Sequence, residues 1–234
     1  MQYICIMKTL VFCTGWSNSE SHWTNLYGRW LETIRLKKLN YQQILIADDG
    51  SKVLPTFSEF EIISGRLPKE QPTTDTVMYH WEDNLGIKPG TCNYPGWYRS
   101  FTFAAVYAQR YGFEKVVHIE ADAYLISKKI HDYVNESVCG WTAFYCPRHN
   151  FPEAAIQIIA GNSIEDYRQM GEIPYSKLSH QIAEHYIPFS CVQHGFIGDR
   201  YSEFSNEVPR NADYACQIHE CFPCWWLNLP PIHI

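Results

Sequence analysis

The sequence has no apolar run long enough to cross a bilayer, no block of basic residues, no internal repeat and no low-complexity tract. The first absence argues against a membrane-spanning helix. The second, with a net charge of −6, argues against a protein held to nucleic acid by its overall charge, while a local patch stays open. The opening "MQYICIMKTLVFC" has one basic residue and no small-residue cleavage site, so it reads as a first strand and not as a signal peptide. The nine cysteines are odd in number and follow no regular framework, which points to reduced thiols in a cytoplasmic protein.

What is present is alternation. "KTLVFCTG" reads as a strand over Lys8 to Thr14, bounded by Gly15. Trp23, Leu26, Tyr27, Trp30, Leu31 and Ile34 then recur at helical spacing, with Ser21 as a candidate N-cap. "QQILIADDGS" is a second strand closed by a turn at Gly50, and "EIISG" and "TVMYHWED" are two more. "NLGIKPGTCNYPG" is a loop, and "WYRSFTFAAVYAQRYG" is a helix stopped by Gly112. "KVVHIEAD" and "WTAFYC" are further strands, while "AAIQII" reads as strand or helix. Beyond Asp199 the pattern dissolves into polar turns. This order predicts an α/β domain of Rossmann-like kind, with a mostly parallel sheet covered on both faces. Ligands of such sheets gather beyond the carboxyl ends of the strands, where Thr14, Asp48, Asp49, Glu120 and Asp122 all fall.

Glu120 and Asp122 close an apolar run with only Ala121 between them. In extended backbone they point to one side, and small Ala121 admits a ligand to the backbone. Two carboxylates held together either raise a pKa or take a cation. Mn²⁺ or Mg²⁺ suits such oxygens and leaves positions for phosphate. The competing reading has Asp122 as the N-cap of a helix beginning near Ala123. Asp48 and Asp49 end a strand before a glycine turn, placed to accept hydrogen bonds from a base or ribose, or forming an ordinary turn. Arg99 sits at a helix start, where a cation does not serve the dipole; it either packs on the surface or reaches a diphosphate.

Taken in order, "FCTG", "ADDGS", "EDNLGIKPG", "WYRSFTFAAVYAQRYG" and "VVHIEADAYLIS" resemble a GT-A-fold glycosyltransferase that uses a nucleotide-diphosphate sugar. The likeness covers residues 8 to 127 and departs from the usual Asp-x-Asp at Glu120. It implies a single GT-A-like domain, with a nucleotide-sugar half over 1–127, an acceptor half over 128–200 and an extension over 201–234. It also implies that Thr14, Gly15, Trp16 and Asp48 flank the nucleotide donor, and that Arg99 lies near its base or diphosphate. Glu120 and Asp122 would hold the metal-bound donor, with His194 as a further metal ligand. The acceptor would be a glycan or another hydroxyl, a modified DNA base included. A sugar nucleotidyltransferase would need a glycine-rich basic loop after the first strand, which is missing; a non-catalytic binding module of the same fold is the remaining alternative.

The second half offers a base. Glu153 precedes an apolar run, where burial would raise its pKa, or it stands in the first turn of a helix after Pro152. Glu165 and Asp166 look like a solvated helix face. For a residue such as His194 a satisfied core histidine is the commoner outcome, and Asp199 with Arg200 reads as an ion pair. Cys216, His219, Cys221 and Cys224 match no paired zinc spacing. Trp225 and Trp226 either stack on sugar rings or bases or, the favoured reading, anchor the tail to the core.

Overall fold

A computed structural model of the chain describes residues 7–36, 39–56, 60–87, 94–174, 177, 182–204, 207–218 and 224–227. The first strand, β1 (Thr9–Gly15), lies in the middle of an eight-stranded sheet. To one side of it stand β2 (Gln43–Asp48), β4 (Thr76–His80) and β3 (Glu61–Ser64); to the other stand β5 (Lys115–Ile119), β8 (Phe151–Ala160), β7 (Gly140–Cys146) and β9 (Cys191–Gln193). Five of the seven neighbour pairings are parallel, and the two made by β8 are antiparallel. The expected α/β class with a mostly parallel sheet is what forms.

The period of two along β1 explains why both faces are covered. Val11 and Cys13 join one core with Trp23, Trp30, Ile130 and Val134. Leu10 and Phe12 join the other with Phe101, Ala104, Tyr167 and Met170. The first core therefore receives α2 (Arg29–Leu36) and α4 (Lys128–Glu136), the second α3 (Pro95–Tyr111) and α5 (Ser163–Met170). Burying aliphatic and aromatic side chains on both faces supplies the main drive for folding, about 1.5–3 kcal/mol for each large one.

Several local expectations are corrected. The first helix is capped by Ser19, whose Oγ accepts the His22 N–H, rather than by Ser21; a short α1 (Glu20–His22) runs into a π-helical turn over Trp23–Gly28 before α2. α3 starts at Pro95, because a proline at the first helical position loses no hydrogen bond. No helix begins at Ala123. The chain instead makes β6 (Tyr124–Leu125), and α4 is capped later by Ser127. "AAIQII" is strand, inside β8. The described residues around and past Asp199 form β10 (Gly198–Arg200), α7 (Tyr201–Phe204) and β11 (Tyr214–Cys216), and the two strands join β6 in a small sheet of order β10-β11-β6. Trp226 is buried and its ring centroid lies 5.9 Å from that of Tyr124, so this dipeptide anchors the tail. No helix among the described residues is long and apolar enough to cross a membrane.

Candidate active site

Strand order reverses direction at β1: the chain proceeds outward through β2 on one side and returns to β5 on the other. A crevice opens where two neighbouring parallel strands lead their connections to opposite sides, and ligands of α/β sheets bind there. β1 and β5 are in register with Phe12 opposite His118. Two residues further on, Thr14 therefore meets Glu120, and its hydroxyl donates to the carboxylate at 2.8 Å. A cavity of about 720 Å³ opens over this point, lined by Thr14, Gly15, Trp16, Glu120, Ala121, Asp122, Glu153 and Arg200 among others.

Glu120 is the most tightly held of these acids. It accepts from Thr14 and from Trp97 Nε1, and His118 Nε2 lies 3.0 Å away. Burial works against its charge, but the His118 ring and the Trp97 and Thr14 donors outweigh burial and keep the carboxyl below its usual pKa. Asp122 is the opposite case. Its carboxylate is met by its own backbone N–H and by no other hydrogen bond or ion pair among the described residues. Burial, then the charges of Glu120 and Glu153, push its pKa up to about 7.

Glu153 reaches the same cavity from β8 and is almost completely buried. Arg200 grips it with two donors, Nε at 2.6 Å and an Nη at 3.1 Å, and the Ala155 N–H adds a third at 3.0 Å. Its pKa is raised, because burial exceeds what Arg200 returns. Arg200 also binds Glu184 of α6 (Ala183–Tyr186). The expected Asp199–Arg200 pair does not form: successive strand residues point to opposite faces, and Asp199 turns away to Arg148 at 3.0 Å.

Other predicted residues stand apart from these acids. Asp48 is fully buried; Ser51 donates to it twice and His80 Nδ1 lies 2.6 Å away, so its carboxylate is spent on the turn after β2. Asp49 lines the cavity but clamps it, accepting from the Asn84 side chain and the Gly86 N–H, both at 2.9 Å, and from Arg99. Arg99 completes this clamp with Asp83 at 2.8 Å and lies 4.6 Å over the Trp81 ring, outside the cavity lining. His194 follows β9 at the far edge of the sheet, exposed, with its ring 4.3 Å from that of Tyr145. The structure does not bring it to the acids. Cys216 is buried and Cys224 half-buried, whereas His219 and Cys221 lie outside the described residues.

The sequence reading missed Trp97, His118 and Arg200. Trp97 and His118 sit inside runs that read as core, and they do pack there: Trp97 stacks on Phe101 at 4.6 Å and His118 on Phe12 at 4.6 Å. Only their polar edges, turned to Glu120, serve the site.

No group of three His, Cys, Asp or Glu side chains converges as a metal site among the described residues. Mg²⁺ does not need one, since it keeps several waters and takes one or two carboxylates plus substrate phosphates. Glu120 and Asp122 fit that donor set, and the charge balance favours it. The described lining has five acids (Asp49, Glu120, Asp122, Glu153, Glu184) and Arg200 as its cation.

No family model matches the chain, and no curated protein matches it. Among solved structures it is similar to a glycosyltransferase involved in the glycosylation of the major capsid of PBCV-1, with TM-score 0.45 and 10% identity over 89% of this chain and 94% of that one. It is also similar to HddC from Yersinia pseudotuberculosis, with TM-score 0.40 and 10% identity over 80% of this chain and 90% of that one.

Proposed function

We propose that the protein is a glycosyltransferase, moving a sugar from a nucleotide-diphosphate sugar to an acceptor hydroxyl with Mn²⁺ or Mg²⁺ held by Asp122 and Glu120. The observation that carries this is the carboxylate of Asp122, met only by its own backbone N–H among the described residues, beside the ionised Glu120, at the mouth of β5 and over the crevice between β1 and β5. An acidic cavity repels a diphosphate until a divalent cation enters, so donor and metal belong together. When bound, that cation supplies charge stabilisation for the departing nucleoside diphosphate.

The remaining roles fall to side chains of the chain itself. Glu120, fixed by Thr14, Trp97 and His118, needs no reorganisation to offer a remaining lone pair of Oε2, the oxygen that accepts from Thr14. Glu153 has a raised pKa and is oriented by Arg200, which suits it to accept the proton of an attacking acceptor hydroxyl. A carboxylate base held by a third group follows the general logic of an activated nucleophile.

A screen of UDP- and GDP-sugars with Mn²⁺ and Mg²⁺, scored by release of nucleoside diphosphate, tests this. Release that depends on metal and collapses in Asp122→Asn is expected. Undiminished release in that variant overturns the metal role. Binding of UDP or GDP that is indifferent to metal, without turnover of any donor, identifies a non-catalytic module instead, a reading favoured by how fully Glu120 is already hydrogen-bonded.

A further inference from the structure

Two non-glycine residues among those described have left-handed backbone, Asn150 with φ 58° and Gln217 with φ 56°. Asn150 has an ordinary reason. Asparagine tolerates this region, and the residue closes the turn between β7 and β8, donating its N–H to the Cys146 carbonyl at 3.0 Å. Glutamine has no such tolerance, and strain of this kind persists only where the surroundings impose it.

The surroundings of Gln217 do impose it. Cys216 before it is fully buried, at the end of β11 and opposite Arg200 in β10. Ile218 after it is also buried, and donates its N–H to the Asp122 carbonyl at 2.9 Å. Residue 217 is thus forced through a left-handed step between two fixed neighbours. Gln217 is half-buried and lines the cavity, and its side chain makes no hydrogen bond with any described residue.

The small β10-β11-β6 sheet therefore brings Arg200, Gln217 and Asp122 to the same cavity, from the end of β10, the end of β11 and the turn before β6. Arg200 is already committed to Glu153 and Glu184. The carboxamide is not committed. It is uncharged and carries both donors and an acceptor, so it can exchange hydrogen bonds in both directions with a sugar hydroxyl, whereas toward a phosphate only its N–H donors would serve.

We propose that Gln217 is a binding residue for the hexose of a nucleotide-diphosphate sugar, its carboxamide exchanging hydrogen bonds with ring hydroxyls beside Asp122. This assignment rests on the donor reading given under Proposed function. Calorimetric titration with Mn²⁺ present compares UDP with UDP-glucose, and GDP with GDP-mannose, on the unaltered protein and on Gln217→Gly and Gln217→Ala. Both variants should bind the diphosphates as before. The ratio of sugar-nucleotide affinity to diphosphate affinity should fall about 3- to 10-fold in both, the scale of one or two neutral hydrogen bonds.

Only the glycine variant should melt higher, by about 1–3 °C, because glycine enters the left-handed region without penalty. An unchanged affinity ratio with diphosphate binding intact overturns the role of Gln217 alone. A glycine variant that melts no higher overturns the strain argument. Absence of metal-dependent diphosphate binding in the unaltered protein overturns the donor reading and this assignment with it.

Discussion

Thr14 at the end of β1 donates its hydroxyl to Glu120 at the end of β5 across 2.8 Å, tying together the two strands between which the crevice opens. The bond is charge-assisted, so its loss costs more than that of a neutral pair, about 1.5–3 kcal/mol. Thr14→Val keeps the branched shape that suits a strand and removes the donor. The variant should melt several degrees lower, and the Glu120 carboxyl should titrate at higher pH when followed by carbon-13 NMR. Thr14→Ser should restore both. A valine variant with unaltered titration would show that the hydroxyl does not hold the charge on Glu120.

Asp122 carries a pH signature of opposite sign. Burial and its acidic neighbours raise it to about 7, against about 3.9 in an unfolded chain. Between those values the folded state holds a proton that the unfolded state has released, so its contribution to stability falls as pH rises through this window. Above pH 7 the full penalty is present. Metal-free Asp122→Asn should therefore melt higher than the unaltered protein at pH 8, with the gap closing toward pH 4. Each kcal/mol corresponds to about 2–4 °C in a chain of this size. Mn²⁺ should raise the melting temperature of the unaltered protein at pH 8 and leave the variant unmoved. Equal melting of the two at pH 8 would mean that Asp122 is solvated.

The strands that carry the crevice were legible because β1, β2 and β5 are continuous apolar runs, the pattern of strands buried on both faces. Glu120 and Asp122 were legible for the same reason: charge at the end of such a run stands out. β10 and β11 were not, since three residues cannot display a period. Nor was the pairing of Arg200 with Glu153, which are 47 residues apart and joined only by the fold. Asp48 and Asp49 show the limit of a motif. Both acids are buried where the chain turns after β2: Asp48 is spent on that turn, and Asp49 clamps the loop at 84–86.

That clamp leaves no room at Gly96. A Cβ there would lie 2.0 Å from Asp49 Oδ2, an atom already accepting from Asn84 and Gly86. Asp49 cannot swing aside without breaking its bond to Arg99 as well. Gly96→Ala should destabilise by about 2–4 kcal/mol, the scale of overpacking joined to a broken buried network. Gly195 has nothing within 4 Å of its Cβ position, so Gly195→Ala should change stability by less than about 0.5 kcal/mol. Urea unfolding of the two variants in parallel checks this; similar midpoints would show that the loop at 84–86 yields freely.

Lys115 supplies a test of the core that is independent of the cavity. It is 3% exposed, and its Nζ donates to the carbonyls of Val134 and Asn135 in the last turn of α4, where a cation also suits the helix dipole. Burial lowers its pKa to about 8. From about pH 8 to 10.4 the unfolded chain keeps a proton that the folded one has given up, so the stability contributed by Lys115 rises across that window. The buried thiols of Cys13, Cys146, Cys216 and Cys224 run the other way above about pH 8.5, since folding raises their pKa and the unfolded chain releases those protons first. The raw stability curve mixes the two effects, and Lys115→Met separates them. The stability of the unaltered protein minus that of the variant, from urea midpoints, should grow by on the order of 1–2 kcal/mol between pH 7 and 9.5. A flat difference would mean that the ammonium keeps its proton in the folded state, held there by the α4 carbonyls more strongly than burial opposes it.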